Sequence, residues 1–155
     1  MNKIKVIIPI IIIIIIAGIL ITSTPNEETS KNQIEEKWVK SGPFEIDKNQ
    51  YHMGEKIFLT TTNLLPEDNG TVQFMRPIND THHESYIEIP FDGMDKSRFN
   101  YYFEPKLFAW KGICEIDDVA GNWIVEFSGT QYEDINFEIL AQPSSWDERK
   151  FEPVC

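Results

Sequence analysis

Apolar residues along this 155-residue chain follow two patterns. From Ile4 to Ile21 they run nearly unbroken, with seven isoleucines in succession from Ile10 to Ile16; from residue 43 onward they alternate with polar residues. The alternation is cleanest in GNWIVEFSG, where Trp123, Val125 and Phe127 share one face and Asn122, Glu126 and Ser128 the other. INFEIL repeats it, with Ile135, Phe137 and Ile139 set against Asn136 and Glu138. Successive side chains of a strand point to opposite faces, so each segment predicts a β-strand with one buried face. GTQYED between them reads as a hairpin loop, and the six inward residues are the expected centre of the core.

The same period recurs upstream. RFNYYF sets Phe99, Tyr101 and Phe103 against Asn100 and Tyr102; YIEIPF sets Ile87, Ile89 and Phe91 against Glu88. TVQFMR offers Val72 and Phe74, and KIFLTTTN offers Ile57 and Leu59. PFEI at 43 to 46 reads as a short first strand whose proline suits a sheet edge. Seven short strands in about 100 residues, separated by turn signals such as PEDNG, predict an all-β fold: an antiparallel two-sheet sandwich of immunoglobulin or fibronectin type. No cysteine lies on an early strand to pin the sheets together. Aromatic packing is expected to hold them instead, for which 10 Phe and 5 Tyr are available.

The unbroken tract calls for a different element. Isoleucine favours strands in water, but inside a bilayer a lone span can satisfy its backbone polar groups only as a helix. Eighteen residues from Ile4 to Ile21 reach roughly 27 Å, close to the apolar thickness of a membrane. Lys5 can snorkel to the interface, and Pro9 falls in the first turns, where a missing N–H costs little. The tract therefore predicts an N-terminal transmembrane signal-anchor helix, residues 1–24. A cleaved secretory signal is the alternative: its apolar region would be shorter, and Thr22-Ser23-Thr24 is only a loose cleavage match. In both cases Lys3 and Lys5 stay cytoplasmic and the remainder is extracytoplasmic.

Residues 25–37, PNEETSKNQIEEK, carry one apolar residue and read as a polar stalk. Residues 38–140 have the length of one domain, and 141–155 form a C-terminal tail expected to pack on it through Trp146 and Phe151. Beyond the tract lie all 25 acidic residues and 12 of the 14 basic ones, a net charge of −13. That charge repels nucleic acid and anionic headgroups, so no nucleic-acid partner is expected. Asn69-Gly70-Thr71 and Asn79-Asp80-Thr81 are glycosylation candidates at Asn69 and Asn79 in an exported chain.

Two cysteines, Cys114 and Cys155, both fall outside the expected anchor, and an exported pair suggests one disulfide. Free thiols on a mobile tail, or a link from Cys155 to another molecule, are the alternatives. His82, His83 and Glu84 are the nearest approach to a metal cluster. They are expected to lie in a loop, and if extended, the two imidazoles would point apart. A cupredoxin copper site needs His, Cys, a second His and an axial Met; no His follows Cys114, which counts against it. The acidic pairs Asp92/Asp95, Asp117/Asp118 and Glu133/Asp134 lack the spacing of a calcium loop. No Gly-x-Ser-x-Gly, His-Glu-x-x-His or phosphate loop is present, so neither an enzyme nor a cofactor is expected.

YHMGEKIFLTTTNLLPEDNGTVQF combines a Tyr, a Gly-Glu turn three residues on, an alternating strand, a Gly-containing loop and a second strand. It resembles the opening of immunoglobulin-like domains in bacterial and archaeal surface proteins. With the anchor and Gly-x-Trp-x-Val-x-Phe at 121–127, the layout resembles small single-pass envelope proteins of archaea, including ammonia-oxidising ones. The resemblance covers roughly residues 40–140. It implies a fold and a cell-membrane location and carries no functional residues. The expected function is a membrane-anchored interaction or structural module whose partner is another envelope or membrane protein. A domain binding calcium, copper or a small ligand for a neighbouring membrane protein is the alternative.

Overall fold

The computed structural model describes residues 38–144 and 151–155; the expected anchor and stalk, and Trp146, lie outside the described residues. Among the described residues no helix is long and apolar enough to cross a membrane. Nine strands follow in order: β1 (Val39–Ser41), β2 (Phe44–Ile46), β3 (Gln50–Met53), β4 (Ile57–Thr61), β5 (Asn69–Asn79), β6 (His82–Asp92), β7 (Phe99–Phe103), β8 (Gly121–Ser128) and β9 (Ile135–Pro143). Two short 3-10 turns, Ala109–Lys111 and Ile116–Asp118, cross between β7 and β8. The fold is all-β, with one sheet in the order β1-β2-β4-β7 and the other β3-β9-β8-β5-β6.

All seven expected strands are present, and two more join them. β1 and β3 are three and four residues long, too short for a period to stand out in the sequence. β1 pairs outside β2, so β2 is an interior strand and Pro43 lies in the hairpin turn before it rather than on a sheet edge. One strand pair departs from the antiparallel expectation: β3 runs parallel to β9, because the chain crosses from one sheet to the other after β2 instead of folding back. Asp47 holds this crossing, its Oδ1 accepting from the Tyr51 hydroxyl at 2.7 Å and the Phe58 N–H at 3.0 Å. β6 begins at His82, ten residues before its end at Asp92, so His82, His83 and Glu84 belong to a strand and not to a loop.

The two sheets bury one another's alternate residues. Trp123, Val125, Phe127, Ile135, Phe137 and Ile139 are all buried, as their alternation requires. Trp123 is fully enclosed, its indole N–H donating to the Val119 carbonyl at 2.7 Å and its ring lying 5.2 Å from Tyr86 and 5.8 Å from Phe137. At the other end Phe44 stacks on Phe127 at 4.5 Å and meets Phe91 and Tyr132 edge-on. Aromatic pairs at these separations add to the area they bury. Tyr132 closes over Gly42, where φ is +54° and a Cβ would lie only 2.3 Å from the ring, so no side chain fits there. Arg76 continues the inward period of Val72 and Phe74. Its guanidinium reaches the Glu84 carboxylate at 2.7 Å and the Asp118 carbonyl at 3.0 Å, as a buried cation requires.

Burial sets one pH dependence. Enclosure first, and then the Asp47 hydrogen bond, pushes the Tyr51 phenol far above its ordinary value; enclosure likewise raises Tyr86, against the Lys106 N–H and Arg76. A raised phenol pKa favours the folded state. That contribution is complete below about pH 10, where unfolded tyrosine keeps its proton, and is lost as pH rises beyond it, by about 1.4 kcal/mol per phenol per unit. Melting temperature is therefore expected to fall steeply above about pH 10, and Tyr51→Phe to make that fall shallower.

Candidate interaction surface

The two outer faces differ. On the five-stranded sheet the outward positions are mostly polar, including Gln50, Gln73, Glu88, Asn122, Glu126 and Glu138, with Gln50 donating to Glu138 at 2.7 Å across β3 and β9. On the four-stranded sheet, β4 and β7 are in antiparallel register with Phe58 opposite Tyr102 and Thr60 opposite Asn100. Outward alternation thus puts two aromatic rings side by side, 5.7 Å between centroids, where solvent would usually meet charge. Phe58 is 45% and Tyr102 60% exposed, and Trp38, just before β1, is 47% exposed.

Together with Asp47, Thr60 and Asn100 these rings line a shallow depression of about 440 Å³. Its rim is polar and partly self-satisfied: the Thr60 hydroxyl donates to Asn100 Oδ1 at 2.7 Å, and the Lys56 ammonium stands 5.1 Å from the Tyr102 ring centroid. At the β1–β2 edge Lys40 pairs with Glu45. An apolar centre with a polar rim is the composition of a docking surface. Nothing in it supplies a nucleophile with its base.

Among the described residues the metal-ligand candidates singled out from the sequence do not converge, here or elsewhere. His82 meets Asn79 and Thr81 in the β5–β6 turn, His83 Nε2 lies 3.0 Å from the Asn122 carbonyl, and Glu84 is held by Arg76. The three adjacent side chains thus have no partner in common. Among the described residues no group of three or more His, Cys, Asp or Glu is placed to hold a metal ion. Asp118 caps the 114–118 turn, its Oδ2 accepting from the Cys114 and Glu115 N–H groups, and Asp92 caps the turn after β6 through the Met94 N–H. Asn69 is exposed at the start of β5; the exposed Asn79 uses its Oδ1 to accept from the Thr81 and His82 N–H groups.

Cys114 and Cys155 form a disulfide with Cα atoms 5.1 Å apart. Cys114 therefore carries no thiolate for copper. Beside the bond the Val154 N–H donates to the Cys114 carbonyl at 2.9 Å, and Phe151 is buried against Gly54. The tail is thus tied down covalently and by one aromatic anchor. The aromatic pair was not singled out from the sequence, although Tyr102 sat on the polar face of its strand. Against family models, curated proteins and solved structures, the chain has no match.

Proposed function

We propose that this protein is a membrane-anchored, single-pass, extracytoplasmic β-sandwich that serves as an interaction or structural module of the cell envelope. The observation that carries the reading is the aromatic depression around Phe58 and Tyr102, an apolar face on a domain whose other sheet turns polar groups outward. Such a surface is used to bind rather than to stay soluble. The tract from Ile4 to Ile21 supports the anchor, and Lys3 and Lys5 support the orientation. In this reading residues 25–37 lift the domain clear of the membrane.

An immunoglobulin-like classification is supported by strand order. β6-β5-β8-β9 follows the C′-C-F-G order of a variable-type sheet, and β2-β4-β7 opposes it as A-B-E. The resemblance to archaeal single-pass envelope proteins agrees with the same layout.

Photo-crosslinking from Phe58 or Tyr102 in native membranes, followed by isolation of the adduct, tests the function. Adducts that vanish with Tyr102→Asp support it; no adduct at either position, with strong adducts elsewhere, overturns it. Protease added to intact cells is expected to remove the domain and leave the anchor. A fully protected domain would contradict the orientation.

A further inference from the structure

The two sheets have four edges, and three are closed to further pairing. β1 is only three residues long and lies against β9. β3 has four residues and a register shift between His52 and Met53. β6 is long but carries a shift that leaves Tyr86 as an extra residue, together with exposed Glu84, Glu88, Pro90 and Asp92. Short length, bulges, prolines and charges are the devices by which edges avoid adding a strand. β7 has none of them. Its sequence Phe-Asn-Tyr-Tyr-Phe holds no charge and no proline, and its register against β4 is unbroken.

The residues flanking β7 have opposite charge, Arg98 directly before it and Glu104 directly after. Among the described residues neither joins an ion pair. Tyr101, whose Cα lies opposite that of inward-facing Leu59, is nevertheless 36% exposed. The inner face of this edge is therefore left partly uncovered.

We propose that β7 pairs antiparallel with β7 of a second copy of this chain, about a two-fold axis through Tyr101. This rests on reading the domain as an interaction module and names one of its partners. In that register Arg98 faces the partner's Glu104 and Glu104 faces the partner's Arg98. Phe99 faces the partner's Phe103, Asn100 faces the partner's Tyr102, and the two Tyr101 side chains cover each other. The four-stranded sheets join into one of eight strands. A slip of one residue would turn the aromatic inner faces outward, and a slip of two would carry each charge about 7 Å from its mate along the strand. The complementary ends thus select this register, and a self-complementary patch is what a two-fold interface needs.

The test is reciprocal charge reversal in the full-length chain, in detergent micelles, read by sedimentation equilibrium. Arg98→Glu alone and Glu104→Arg alone each place two like-charged pairs at the interface and are expected to weaken self-association roughly tenfold or more. An equimolar mixture of the two variants restores both attractive pairs in the heterodimer and is expected to associate as the unmodified chain does. Arg98 is exposed, and equal melting temperatures establish that the variants fold. Association unaffected by either reversal, or not restored by mixing, overturns the register. An unmodified chain that stays monomeric overturns the pairing. Adducts from Phe58 or Tyr102 to a different envelope protein would in that case leave the broader function standing.

Discussion

Replacing Trp123 by alanine is expected to lower the unfolding free energy by about 3 to 5 kcal/mol, a large part of the roughly 5 to 15 kcal/mol that holds such a domain folded. Three losses combine there. The indole is fully enclosed, so its removal leaves a cavity in a core already fixed by Phe137 and Tyr86. The same change removes the donor that satisfies the buried Val119 carbonyl, and an unpaired buried acceptor adds its own cost. Trp123→Phe keeps most of the volume and loses the donor, so its own cost reports chiefly the hydrogen bond, and the further loss in Trp123→Ala reports the cavity. His82→Ala with His83→Ala, by contrast, touches an exposed turn and one contact to the Asn122 carbonyl, and is expected to stay within about 0.5 kcal/mol. Denaturant unfolding of the three variants, with and without a chelator, measures all of this. A large loss on removing the histidines, or on chelation alone, would favour a metal-dependent fold.

The core and the surface were not equally legible in the sequence. β8 and β9 each bury three residues in strict alternation, and such a pattern admits only one arrangement with an apolar interior. The same period puts Arg76 on the inward face after Phe74. That position looks like a conflict until the β5–β6 hairpin sets Glu84 opposite it. The Phe58–Tyr102 pair illustrates what a period cannot supply. It tells that Tyr102 leaves the core, but β4 and β7 are separated by both long strands of the other sheet, and their adjacency arises from the fold alone. β3 was missed for a related reason, because four residues alternate too briefly to be told from a turn. The His82–Glu84 segment reads as a loop in the sequence because its polar residues mask how far the hairpin extends beyond the apolar run.

Cutting the Cys114–Cys155 bond is expected to destabilise the domain by about 4 kcal/mol, the chain-entropy value for a loop closed over 41 residues. The bond constrains the unfolded chain, whereas Phe151 acts in the folded state by filling the space beside Gly54. The two contributions can be separated. Cys114→Ser and Cys155→Ser remove the same link, so each alone should cost what the double variant costs, a complete failure of additivity. Phe151→Ala in the oxidised protein should cost about 3 kcal/mol as a buried aromatic truncation, and much less once the bond is gone, because an untethered tail leaves the surface readily and takes its contacts with it. Thermal melts of these variants with and without reductant give the cycle. Equal effects of Phe151→Ala in the two redox states would mean that the tail docks by packing alone and that the bond adds only entropy.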